Sequence, residues 1–142
     1  MQLRDAGDGI TRDSLAFYRD HRHELGPLRE VTVRFPAFDD PHNPYLMVLR
    51  DADGQELLLS GCTAGYVGEG PHGTLHILIA EGCPVDAATY VLDGAALRYT
   101  RDGDGDWHLR EYQSARDHCD RQLDGYGRAD VQPERQALGR AR

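Results

Sequence analysis

Apolar and polar positions along this chain change period several times, and each change marks an element. From Thr11 to Leu25, the residues Leu15, Tyr18, Arg22 and Leu25 share one helical face, with Phe17 and His21 beside it. Thr11 or Asp13 can cap this helix, and Gly26-Pro27 ends it. Residues Leu28 to Phe35 alternate instead, with Val31, Val33 and Phe35 on one side, which predicts a half-buried strand. Tyr45 to Arg50 and Gln55 to Ser60 flank Asp51-Ala-Asp-Gly54, a hairpin signal. Helical spacing returns at Thr74 to Glu81 through Leu75, Leu78 and Ile79, with Gly82 and Pro84 as stop signals. Ala88 to Leu92 and Ala95 to Arg101 flank Asp93-Gly94, a second hairpin signal. A strand from Trp107 to Tyr112 follows the turn Asp102-Gly-Asp-Gly-Asp106. Ser114-Ala-Arg-Asp117 then opens a last helix with Ala115, Cys119, Gln122, Leu123 and Tyr126 on one face.

These elements predict an α+β fold: a largely antiparallel sheet of about six strands, an N-terminal helix, a short inserted helix and a C-terminal helix. The expected core is Val31, Val33, Leu46, Val48, Leu57, Leu59, Leu75, Leu78, Val91, Leu97, Tyr99 and Leu109. Residues 1–10 read as a polar lead-in, residues 1–126 as a single domain, and 127–142 as a disordered, mildly basic tail with little to bury.

Composition narrows the class. A chain of 142 residues with 39% hydrophobic and 28% charged residues suits one globular domain. No apolar run reaches the length of a membrane span, and the first residues lack the order of a signal peptide, so a cytoplasmic location and no membrane partner are expected. Cys62, Cys83 and Cys119 are an odd number without paired spacing, which argues against a disulfide framework. The net charge of −8 disfavours nucleic-acid binding, and every one of the sixteen basic residues is arginine.

The stretch Gly61 to Thr74, GCTAGYVGEGPHGT, carries the candidate chemistry. A strand, a glycine-rich loop and a helix N-terminus in that order form a plausible anion site, because free backbone N–H groups and the positive dipole end point into the loop. The candidate ligand contacts are Gly65, Tyr66, Gly68, Gly70, His72, Gly73 and Thr74, and the expected ligand is a small anionic or nucleotide-like molecule with no cofactor assigned. Gly68, Gly70 and Gly73 fit G-x-G-x-x-G with Asp93 twenty residues on, but seven residues separate Ser60 from Gly68, and Glu69 would face a pyrophosphate. Irregular packing of the loop on itself is the structural alternative.

Four further constellations are weaker. Cys62 and His72 could act as nucleophile and base, yet a cysteine just after a strand reads first as a small core residue, so no catalytic residue is assigned. Cys62, His72, His76 and Cys83 fit no familiar zinc spacing, and a helix starting at Thr74 leaves His72 outside it; no metal is expected. Asp39, Asp40 and His42 lie in a turn-forming loop, and Asp102 to Asp106 lacks the glycine and glutamate of a calcium loop. The alternative to ligand binding is an acidic protein-interaction module without catalytic activity, of the kind that neutralises a basic enzyme or docks on a regulator. Residues 1–126 carry net −10 against +2 in the tail, with acids gathered at Asp39-Asp40, Asp51-Asp53 and Asp102-Asp104-Asp106.

Overall fold

A computed structural model describes residues 1–36, 43–84 and 86–116. In chain order the elements are β1 (Gln2–Arg4), α1 (Thr11–His21) with a 3-10 turn at Arg22–Glu24, β2 (Leu28–Arg34), β3 (Met47–Asp51), β4 (Glu56–Leu59), α2 (Glu69–Ala80), α3 (Ala87–Asp93), β5 (Gly94–Arg101) and β6 (Trp107–Ser114). The α+β class stands: six strands form one sheet in the order β1-β4-β3-β2-β5-β6. Every neighbouring pair is antiparallel except β1 with β4, which is parallel. The closing helix enters only at Ala115 and Arg116; its remainder, Cys119 included, and the tail lie outside the described residues, as do Asp39, Asp40 and His42. No helix among the described residues is long and apolar enough to cross a membrane.

Register explains the core. Val31 stands opposite both Leu49 and Tyr99, and Val33 opposite both Met47 and Leu97, so one face of the sheet is apolar across its width. That face packs against Tyr18 of α1, Ile77 and Leu78 of α2, and Val91 of α3. Opposed residues share a face, and the other face carries a ladder of charge across five strands. Glu56 pairs with Arg50, Arg50 with Glu30 at 3.2 Å, Glu30 with Arg98 at 3.1 Å, and Arg98 with Glu111 at 2.8 Å.

Four sequence expectations change. The supposed lead-in contributes β1, whose parallel pairing sets Leu3 beside Leu57. Met47 and Leu49, not Leu46 and Val48, face the core. Ala88 to Leu92 belongs to a helix, and Asp93-Gly94 is a helix-to-strand junction; Gly94 sits at φ −95, ψ 131, whereas a tight hairpin turn of this kind needs positive φ. Finally, α2 begins at Glu69 rather than Thr74. Pro71 is accommodated because it falls in the first turn, where its missing N–H has no intrahelical partner to lose. The far end matches expectation: Gly82, at φ +89, terminates α2, with Cys83 N–H donating to the Leu78 carbonyl at 2.9 Å.

The β3–β4 turn is fastened by Asp51, which is 2% exposed. Its carboxylate accepts from the N–H groups of Gly26, Asp53 and Gln55, each at 2.9 Å, and from the Gln55 amide at 3.0 Å. Burial pushes this carboxyl up, but those donors outweigh it and hold it below the usual range. A depressed folded-state value stabilises the fold above the unfolded carboxyl pKa, about 3.9, and that contribution is lost as pH falls through the folded value. Asp51→Ala should therefore cost about 2–3 kcal/mol near neutrality. Urea titrations from pH 7 to pH 3 check this: the gap between wild type and variant should close towards acid, and a gap constant with pH would contradict the assignment.

Candidate functional site

The N-termini of α1 and α2 converge on one cleft of about 370 Å³. Gly9, Ile10 and Thr11 form one wall, Gly61 and Thr63 the floor, and Tyr66, Glu69 and Gly70 the other wall. One helix starts at residue 11 and the other at residue 69, and hydrogen bonds to the segment after β4 hold both in place. Thr11 donates its hydroxyl to the Gly61 carbonyl at 2.7 Å. Thr63 donates its N–H to the Gly70 carbonyl at 3.2 Å, and its own carbonyl accepts from the buried Thr74 hydroxyl at 2.7 Å. Beneath the floor, Asp5 accepts from Ser60 N–H at 2.8 Å and from the Ser14 hydroxyl, while Ser14 Oγ accepts from Gly61 N–H at 2.7 Å.

The mouth of the cleft is apolar and acidic together. Ile10 and Tyr66 line it and are exposed, and Val67, next to Tyr66 in the chain, is exposed to 79%. Tyr66 is braced rather than loose: its ring meets Phe35 edge-on with centroids 6.1 Å apart, and its oxygen accepts from the Thr63 hydroxyl at 3.0 Å. Glu69 opens α2 on this rim, and Asp8 and Asp13 stand beside the α1 end. Contact with Asp8, then partial desolvation and the Asp8 charge, raise the Asp13 carboxyl above its ordinary value, with Arg12 opposing at 3.9 Å. Ser14 N–H bonds to the Ile10 carbonyl and His72 N–H to the Gly68 carbonyl, closing the first turns. The N–H groups of Thr11, Arg12, Asp13, Glu69 and Gly70 precede those bonds, so both helix ends keep donors without an intrahelical partner.

In comparison with known proteins, the chain matches no family model, and no curated protein or solved structure is significantly similar to it. The reading of the site therefore rests on its geometry.

Of the seven candidate contacts, Tyr66 and Gly70 line the cleft. Gly68 is the residue preceding α2, under the Tyr66 ring. Gly65 lies behind the loop at φ +98, its N–H on the Val91 carbonyl at 2.8 Å and no room for a Cβ against Phe35. Gly73 and Thr74 are buried on the inner side of α2, where a Cβ on Gly73 would stand 2.6 Å from Thr11 and 3.2 Å from the Cys62 sulfur. His72 is exposed on the outer side. Cys62 and His72 thus lie on opposite sides of α2, and burial, with the Asp5 charge, pushes the Cys62 thiol up to about 12. A thiol so buried packs as part of the core, with its thiolate form disfavoured. Cys83 is likewise buried, and among the described residues no three His, Cys, Asp or Glu side chains are grouped to hold a metal. In the Asp102 turn the carboxylate is already engaged by Asp104 N–H, Asp106 N–H and His108.

The wall formed by Gly9, Ile10 and Thr11 was not legible in the sequence. Those residues read as a lead-in and a cap, and only the parallel pairing of β1 with β4 carries them to Gly61.

Proposed function

We propose that this protein is an acidic interaction module that docks a basic protein partner at the cleft between α1 and α2. The observation that carries the reading is the cleft lining, where exposed Ile10 and Tyr66 are joined by Glu69, while Asp8 and Asp13 flank the Ile10 side along the chain, with Arg12 beside Asp13. Interfaces draw energy from aromatic anchors surrounded by complementary charge, and Tyr66 is already braced, so little side-chain entropy is lost when it is covered. The hydrogen bond with Asp8, then desolvation and the Asp8 charge, raise the Asp13 carboxyl, and a cationic side chain from the partner would complement this pair of acids. The overall charge of −8 steers such a partner towards the surface.

Pull-down with the immobilised protein tests the proposal. A partner captured at low salt should be released at high salt; Glu69→Arg should weaken capture, and Tyr66→Ala should weaken the affinity for that partner about tenfold or more. Capture insensitive to salt and to both substitutions, or no capture, removes the reading. The converging helix ends favour a second reading, in which a small anion sits on the free N–H groups, with the Glu69 charge opposing it. Phosphate or sulfate would then raise the melting temperature above that in chloride at equal ionic strength, and no such preference would exclude it.

A further inference from the structure

The earlier start of α2 changes the standing of two histidines. With the helix running from Glu69 to Ala80, His72 and His76 both lie within it, one helical repeat apart at i and i+4, and both are exposed. Residues at that spacing sit on one face with Cβ atoms about 5–6 Å apart. Two imidazoles so placed converge on a single ion at metal–nitrogen distances of about 2.0–2.1 Å, the arrangement that helical H-x-x-x-H pairs use for zinc. The opposite face of the helix is fixed, since Gly70, Pro71, Gly73, Thr74, Ile77 and Leu78 are all buried. The backbone presenting the two rings is therefore rigid before any ion arrives.

The other described histidines differ. His21 is held by Glu24 at 2.6 Å and His108 by Asp102 at 2.7 Å, while His23 lies outside α2 in the 3-10 turn. Neither His72 nor His76 has a side-chain partner among the described residues. We propose that His72 and His76 form a bidentate site for a divalent transition-metal ion on the outer face of α2. Two protein nitrogens leave the remaining coordination positions to water, in keeping with the lack of any three-residue group nearby. Imidazole donors suit copper, nickel and zinc, with Cu²⁺ bound best in the usual affinity order. The positive end of the helix dipole opposes a cation, but Glu69 in the first turn offsets it, and the effect fades before His76. Both metal ligands lie outside the cleft lining, although Glu69, one turn before His72 on the same face, belongs to it.

Calorimetric titration of the untagged, full-length chain, stripped with EDTA, with CuCl₂ and then NiCl₂ in a non-coordinating buffer tests it. One ion should bind per chain, and Ni²⁺ should raise the melting temperature of the wild type. His72→Ala and His76→Ala should each weaken binding about tenfold or more, because loss of either ring removes the chelate, whereas His23→Ala should leave it unchanged. Failure of the wild type to bind, or an affinity unchanged in either His72→Ala or His76→Ala, overturns the proposal.

Discussion

Gly61→Ala is expected to lower the stability of the fold by about 3 kcal/mol, the upper end of the range for overpacking a filled interior. A Cβ at Gly61 would stand 2.5 Å from the carbonyl carbon and oxygen of Ile10 and 2.6 Å from the nitrogen of Thr11. Those are backbone atoms at the start of α1, so no rotamer change can make room. Relief requires moving the helix, and that movement would break the bond from the Thr11 hydroxyl to the Gly61 carbonyl. Gly103→Ala is the control, since nothing lies within 4 Å of the added atom there. Urea unfolding should show a lower midpoint at unchanged m for Gly61→Ala and almost no change for Gly103→Ala. A loss below about 1 kcal/mol would mean that α1 is not pinned at this point. Because Gly61 and Ile10 also border the cleft, the same substitution should weaken partner capture more than its stability loss alone explains.

Asp5→Ala should cost a comparable amount, about 3 kcal/mol, through lost hydrogen bonds rather than crowding. Asp5 is 7% exposed, and its carboxylate accepts from Gly7 N–H at 2.9 Å, from Ser60 N–H at 2.8 Å and from the Ser14 hydroxyl. One side chain thereby ties β1 to α1 and to the residue after β4. Alanine would strand the Ser60 N–H, itself buried, and free Ser14 to turn away from Gly61 N–H. An unsatisfied buried donor costs about 1–3 kcal/mol, and the charge-assisted bond to Ser14 adds to it. Asp5→Asn keeps one acceptor oxygen and should recover part of the loss. Hydrogen exchange offers a second readout: the amides of Ser60 and Gly61 should lose protection first in Asp5→Ala. Equal losses in Asp5→Ala and Asp5→Asn would show that a neutral acceptor recovers nothing and that the carboxylate charge carries the contribution.

Both substitutions act on the parts of the molecule that were hardest to anticipate. Glycine and proline between Gly61 and Gly73 are loop signals by propensity, each glycine costing about 1 kcal/mol in a helix interior. Gly70 and Gly73 nevertheless lie in α2, where an added Cβ would collide with Thr63 and Thr11. Close approach between α2 and its neighbours demands small residues, and propensity alone does not register that demand. The same limit applies to His72, which shares a helix with His76 only because α2 starts early.

By itself the sequence determined the α+β class, a helix in the region after Ile10, the strand from Leu28, the turn at Asp51 to Gly54 and the stop of α2 at Gly82. Each of these rests on local chemistry: a period of 3.6 or 2, an Asx turn, or a glycine at positive φ. Only the tertiary structure decided which side of β3 faces inward, since Leu46, Met47, Val48 and Leu49 are all apolar and carry no parity until Leu49 pairs with Val31. It also decided that Ala87–Asp93 coils into a helix over β5, and that Gln2–Arg4 joins the sheet beside β4. The cleft belongs to this second group. Its walls, residues 9–11 and 66–70, lie far apart in the chain, and long-range contacts of that kind are settled by burial and backbone pairing across the whole sheet, which no local window contains.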